Sequence, residues 1–305
     1  MPELPDVEAY LCALRNHTAG RELLGLRIES PFLVRSVDPP PSAAVGRRVR
    51  SFARLGKRIV FGFEGELFFV LHLMIAGRLR WKTRGVGLPG RMGLAAFDFE
   101  HGTLLLTEAS QKKRASLFAV QGAEALRAHD PGGVEPLECD LPTFEAALCR
   151  ESHTLKRALT DPRLFSGIGN AYSDEILHRA RTSPFRRTRD LAPEDVAMLY
   201  AATRATLAEW TGRFVRAAEE RFPEKVTAFH ADMAVHGRFG EPCPACGAPV
   251  QRVVYAENEA NYCARCQTGG KLLADRALSR LLKDDWPRTL EELEAGRAGS
   301  RAGGQ

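Results

Sequence analysis

Cys243-Pro244-Ala245-Cys246, followed after sixteen residues by Cys263-Ala264-Arg265-Cys266, is the stretch from which the fold can first be read. Two C-x-x-C pairs at this spacing put four thiolates at the corners of a tetrahedron, each pair on a tight turn with a β-hairpin between them. That donor set suits Zn2+. Four sulfurs leave no open coordination position, so the ion expected at Cys243, Cys246, Cys263 and Cys266 is structural. Four unligated thiols in a reducing cell are the weaker alternative. Zinc ribbons occur in enzymes, transcription factors and ribosomal proteins alike, so the ribbon alone names no activity. The other cysteines, Cys12, Cys139 and Cys149, stand in apolar settings and are expected to be small core residues. A total of seven argues against a disulfide framework and for a reducing compartment.

Upstream of the ribbon, Ser166-Gly167-Ile168-Gly169-Asn170-Ala171-Tyr172-Ser173-Asp174-Glu175-Ile176-Leu177 lies between a helix expected around 154–160 and another running to about Arg179. A glycine-bearing turn between two helices leaves backbone N–H groups at the start of the second, an arrangement that suits a phosphate. Asn170 adds a side-chain donor there, and Lys156, Arg157, Arg163, Arg179, Arg181, Arg186, Arg187 and Arg189 concentrate positive charge in the same region. An ordinary helical hairpin with a solvated basic face explains these residues as well. One long helix is expected from Ala192 through Arg216, opened by Pro193, Glu194 and Asp195, whose acids favour a helix N-terminus.

From Arg48 to about Val120, short apolar runs broken by glycine alternate with polar residues, as in 58–63, 67–71, 94–99 and 103–106. This pattern predicts an antiparallel β-sandwich or barrel with the opening helix packed on it. Asp130-Pro131-Gly132-Gly133 marks the end of the β-rich part. The fold class expected is therefore α+β and multidomain: a β-sandwich domain over 1–135, a helical domain over 136–236, the zinc ribbon over 237–270, and a helical extension with a disordered tail over 271–305. The extension reads as two short helices around Trp286-Pro287.

Composition bounds the class of partner. Charged residues at 27% and hydrophobic residues at 44% describe a soluble globular protein. No apolar run is long enough to span a bilayer and no leader is evident, so a cytoplasmic protein with no membrane partner is expected, and a monomer. Lys and Arg number 43 against 38 acidic residues, a modest excess compatible with a polyanion.

The chain opens Met1-Pro2-Glu3-Leu4-Pro5-Asp6-Val7-Glu8. Removing Met1 frees Pro2 as a secondary amine, which can attack an electrophilic sugar carbon and form an iminium; Glu3 is then always near that nitrogen to move protons. The plainer reading is a proline-stiffened lead-in to a helix buried through Val7, Tyr10, Leu11 and Leu14. Three distant stretches tip the balance toward an active site.

Pro2-Glu3-Leu4-Pro5, Lys57 in the turn before a strand, the stretch 167–177, and Val235-His236-Gly237-Arg238 leading through Gly240-Glu241-Pro242 into a four-cysteine ribbon closed by Gln267 together resemble the formamidopyrimidine-DNA glycosylase / endonuclease VIII family, in order and spacing from residue 2 to about 267. The resemblance implies a two-domain clamp on DNA, a helix-two-turn-helix hairpin, and a damaged nucleotide rotated out of the duplex, since a stacked glycosidic carbon is unreachable. It implies a bifunctional DNA glycosylase and AP lyase of base excision repair. Pro2 attacks C1′, Glu3 handles protons, and Lys57 contacts a phosphate beside the lesion. Lys156 and Asn170 map onto phosphate-gripping positions, and the only cofactor implied is one structural Zn2+. Glu175 matches a helical carboxylate of unassigned role, expected to pair with a base.

The sequence departs from the family pattern in places that bear on substrate. Asn258 stands where the ribbon usually carries a phosphate-gripping arginine. In the first wedge motif, His72 to Gly77, Ile75 replaces a usual methionine, with Met74 beside it; in the second, 111–116, Lys113 or Arg114 keeps a cation but the aromatic is absent. Phe222–Met233 shows no clear lesion-capping loop. Two alternatives stay open: an enzyme acting mainly on abasic, single-stranded or distorted DNA, and a DNA-binding protein without catalysis. The second has no need of an N-terminal amine.

Overall fold

The computed structural model describes residues 1–255, 258–274 and 287–295, and the chain divides into two compact units. One comprises 1–135 with 207–228, the other 136–206 with 229–305. Of the expected extension, 275–286, including Trp286, and 296–305 lie outside the described residues; 290–295 is helical. No helix among the described residues is long and apolar enough to cross a membrane.

The first unit is an antiparallel β-sandwich capped by a helix. Strands β1 (Gly25–Ile28), β2 (Val49–Leu55), β3 (Arg58–Phe63), β4 (Leu67–His72), β5 (Gly77–Lys82), β6 (Gly93–Phe99), β7 (Gly102–Glu108) and β8 (Ser116–Gln121) form two four-stranded sheets, ordered β1-β6-β7-β5 and β2-β3-β4-β8. Inward-facing residues of both sheets share one core: Phe61 lies parallel to Phe97 with centroids 6.2 Å apart, and Phe69 meets the same ring. Helix α1 (Leu4–Thr18) buries Val7, Tyr10, Leu11 and Leu14 in that cluster, at the spacing of one helical face. The strands depart from clean alternation, and β7 is buried throughout. Its outer face is covered by the loop after β5, where Thr103 Oγ1 accepts from the Gly85 N–H at 2.9 Å. A short helix α2 (Ala123–Arg127) follows β8.

The second unit is built on helices α3 (Leu141–Cys149), α4 (Leu155–Thr160) and α5 (Asn170–Arg179), with a two-stranded ribbon of β9 (Val250–Tyr255) and β10 (Asn258–Cys263) and the short helix α7 (Ala264–Thr268). The long helix α6 (Pro193–Glu220) contributes to both units; Asp195 caps its start by accepting from the Ala192 N–H at 3.0 Å. Cys12 is half-buried against the core of the first unit, Cys139 is half-buried ahead of α3, and Cys149 is exposed at the end of α3, so of the three only Cys12 stands at a core as expected.

Candidate functional site

In the first unit the chain terminus is built into the start of α1. Glu3 is the residue preceding the helix, and its N–H donates to the Asp6 carboxylate at 2.8 Å, satisfying one of the donors a helix start leaves over. Pro2, Glu3 and Asp6 are all buried. The amine present here is that of Met1, one residue before Pro2. Burial pushes its pKa down, Arg78 and Lys57 push the same way, and Glu3 and Asp6 oppose them. Burial also raises the Asp6 carboxyl to about 7, against the pull of the Glu3 N–H. Lys57 follows Gly56 in the β2–β3 turn; Gly56 sits at φ +60°, where glycine is unstrained, and the turn brings the lysine into the field of the terminus and of His72.

His72 ends β4 and sets the geometry of the next loop. Burial, then Arg58, Lys57 and the terminal amine, hold it down at about 4. A neutral ring whose Nδ1 accepts from the Met74 N–H, at 3.0 Å, carries its proton on Nε2. Met74 beyond it adopts φ +52°, and Arg78 braces the loop by donating to the carbonyls of Ile75, Gly77 and Val226. The apex residue Ile75 is 59% exposed, an apolar side chain held out into solvent. The loop of 109–115 is organised by Glu108, which is 1% exposed and accepts from the N–H groups of Arg114 and Ala115. Lys113 is half-buried with its ammonium on the Glu108 carbonyl, whereas Arg114 is exposed. Among the two expected cations, only Arg114 is directed to solvent.

In the second unit Thr154 caps α4, and Gly167 at φ +77° turns the chain toward α5. Asn170 opens α5 and is half-buried, with Gly169 as the cap. Lys156 departs from the expectation of a phosphate contact. It is 2% exposed, and its ammonium is held by Asp174 Oδ1 at 2.5 Å and by the Asn170 carbonyl at 2.6 Å. An ammonium so enclosed fixes the hairpin instead of meeting a ligand at the surface. The other Asp174 oxygen meets His236 Nδ1 at 2.8 Å and accepts from Asn261 Nδ2 at 3.3 Å, drawing the ribbon onto the same carboxylate. Among the described residues Glu175 forms no ion pair with the base expected for it; its oxygens accept instead from the N–H groups of Ala234, Val235 and His236 at 2.7 to 2.9 Å. These buried groups were missed because their partners lie far along the chain. Only Lys156 and Asp174 are near enough, on successive helices, to have been paired by inspection.

The four ribbon sulfurs lie within 4.8 Å of one another, with Cys243 to Cys266 at 3.9 Å and Cys246 to Cys263 at 3.4 Å. Sulfurs about 2.3 Å from a tetrahedral Zn2+ stand roughly 3.8 Å apart, so the donors fit one ion. Gly247 at φ +73° closes the first turn, and the Cys263 side chain caps α7 by accepting from the Cys266 N–H. Gln267 accepts from the Cys263 N–H and donates to the Thr182 carbonyl, tying the second turn to the end of the hairpin. Asn258 pairs with Tyr255 across the ladder, next to the undescribed 256–257.

Comparison with known proteins agrees with this architecture. Family models match over 1–131 (formamidopyrimidine-DNA glycosylase N-terminal domain), 133–212 (formamidopyrimidine-DNA glycosylase H2TH domain) and 240–269 (zinc finger found in FPG and IleRS). A formamidopyrimidine-DNA glycosylase of Thermus thermophilus is 36% identical over 282 residues, covering 88% of this chain and all of the relative; one of Chloroflexus aurantiacus is 32% identical over 276 residues, covering 88% and 98%. The crystal structure of the MutM (Fpg) protein from Thermus thermophilus superposes with a TM-score of 0.73 at 34% identity, over 87% of this chain and 98% of that one. The Lactococcus lactis enzyme bound non-covalently to DNA containing an AP site shares the fold, with a TM-score of 0.76 at 22% identity over 87% and 99%. The chain belongs to the formamidopyrimidine-DNA glycosylase family.

Proposed function

We propose that this protein is a DNA glycosylase of base excision repair that also cleaves the strand at the resulting abasic site, with Pro2 as its nucleophile once Met1 is removed. The observation that supports this most directly is the buried terminus: Pro2 is buried beside Glu3 and Asp6, and the amine one residue before it is made less basic by burial, in the field of Lys57. Such an amine holds more of its free-base form near neutrality than an exposed one, as a nucleophile must. Relatives named formamidopyrimidine-DNA glycosylase support the substrate class.

The Pro2 nitrogen adds to C1′ of a nucleotide rotated out of the duplex, and the damaged base leaves with the electron pair of the glycosidic bond. Glu3 protonates the ring oxygen as the sugar opens, and loss of the Pro2 N–H proton leaves an iminium joining Pro2 to C1′. The iminium acidifies C2′–H. Removal of that proton expels the 3′ phosphate, a second elimination expels the 5′ phosphate, and water then releases the amine. Lys57, a point charge on a flexible stem, holds a phosphate beside the lesion. Asn170, at the start of α5, and the cation Arg114 contact the backbone, Lys113 steadies the loop through the Glu108 carbonyl, and Ile75 and Met74 fill the space the nucleotide leaves. Lys156 acts at one remove, by fixing the hairpin.

A second reading keeps this chemistry for abasic or single-stranded DNA. What favours it is the loop held by Glu108, whose residues 111–116 include no aromatic to stack in an opened duplex.

Borohydride reduction during reaction with a duplex containing an abasic site tests the proposal. A covalent adduct is expected, and it disappears when Pro2 is changed to glycine behind an added N-terminal residue. Binding without any adduct would leave a DNA-binding protein and no lyase. A panel of oxidised purines and pyrimidines in duplexes and single strands separates the two enzymatic readings.

A further inference from the structure

His178 Nε2 lies 3.2 Å from Cys243 Sγ, with the histidine 9% and the cysteine 2% exposed. His178 stands in the last turn of α5, the helix that Asn170 opens, and Cys243 is the first of the four sulfurs. A zinc-bound thiolate carries no proton and can only accept. The contact then has one polarity, with Nε2–H donating and the sulfur accepting.

We infer that His178 is a positioning residue for the zinc centre, donating a hydrogen bond to the Cys243 thiolate and so making metal retention depend on the DNA-binding helix. The chemistry follows from charge. Four thiolates on one divalent ion leave excess negative charge on sulfur, and an N–H donor aimed at one of them withdraws part of it. That makes the sulfur a poorer target for protonation and for oxidants, both of which release the metal. The contact does not stand alone. Gln267 ties the second cysteine turn to the Thr182 carbonyl just beyond α5, and Asp174 on α5 accepts from Asn261 on β10. These three hydrogen bonds join the hairpin to the ribbon, and among the described residues it is His178 that reaches the sulfur of a metal ligand. Zinc retention is read without DNA or turnover, so failure of this inference leaves the proposed glycosylase untouched.

The test compares the full-length zinc protein with His178→Phe, which keeps a ring but no donor, and His178→Gln, whose Nε2 stands the same number of bonds from the backbone as the histidine's. Zinc release to a chromogenic chelator is expected to be roughly 10-fold faster in His178→Phe, and near the wild-type rate in His178→Gln. In the Co2+-substituted proteins the sulfur-to-cobalt charge-transfer band should move to lower energy in His178→Phe alone, because a thiolate without its donor gives up charge more readily. Equal release rates and unshifted bands in all three proteins would overturn the inference. So would a His178→Gln protein as defective as His178→Phe, since that result assigns the ring to packing. Should His178→Phe not fold, His178→Leu and the cobalt spectrum of His178→Gln carry the same comparison.

Discussion

The Glu3 N–H donates to the buried Asp6 carboxylate at 2.8 Å, so the residue following Pro2, the proposed nucleophile, is held by a group that is itself nearly cut off from water. Burial raises the Asp6 pKa from 3.8 to about 7. Its contribution to folding is therefore complete below pH 4 and is lost as pH rises through 7, by about 4 kcal/mol in all. His72 works in the opposite sense. Its pKa falls from 6.5 to about 4, so its contribution is complete above pH 6.5 and is lost as pH drops toward 4, by about 3 kcal/mol. The two slopes offset each other across that window. Urea midpoints measured from pH 4 to 8 should be flatter for wild type than for either variant. Asp6→Asn should gain stability with rising pH, and His72→Asn should lose it. Parallel profiles for all three proteins would show that neither group is held as described.

Lys156 and Asp174 form an ion pair that is 2% and 0% exposed. Removing one partner of such a pair leaves an uncompensated buried charge, so Lys156→Met should destabilise the second unit by about 3–5 kcal/mol. The double variant Lys156→Met with Asp174→Leu should recover part of the loss. A Lys156→Met protein with an unchanged unfolding midpoint, but weakened DNA binding, would restore the lysine to the role of a phosphate contact.

Glu175 gathers three backbone N–H groups from 234–236. Charge-assisted bonds of this kind contribute about 1.5–3 kcal/mol each in single deletions and do not add, so Glu175→Ala should cost at least about 2 kcal/mol. Hydrogen exchange at Ala234, Val235 and His236 should accelerate with it. Unchanged protection at those amides would argue that other contacts fix the segment.

The zinc site makes its own prediction. Metal analysis should find one Zn2+ per chain, and Cys263→Ser should lower that content and unfold the ribbon, because its core is built around Cys243 and Cys263 with Val235, Ala248 and Val250. A fully folded ribbon in metal-free protein would contradict a structural role.

What the sequence reveals of this fold depends on how local the cause is. The cysteine pairs are legible because a metal imposes its spacing within a few residues, and β3, β4, β6 and β7 because their apolar runs are continuous. Strand β5, Gly-Arg-Leu-Arg-Trp-Lys, is masked by charges that leave the sheet through long stems, and β1 has only four residues, all half-buried. The buried carboxylates escape reading for a different reason. Glu108 and Asp174 look like ordinary surface acids until the backbone and side chains they serve arrive, in the case of Asp174 and His236 from 62 residues away. Lys156 has its partner within reach on the next helix, but a lysine in a run of basic residues gives no sign in sequence that its ammonium is enclosed.

The account stands on a proline nitrogen joined to deoxyribose, and peptide mapping of the borohydride-reduced adduct tests it most directly. The modified peptide should begin at Pro2, with the sugar remnant on its terminal nitrogen and Met1 gone. An adduct mapped to Lys57, or a DNA-cleaving protein that retains Met1, would contradict it.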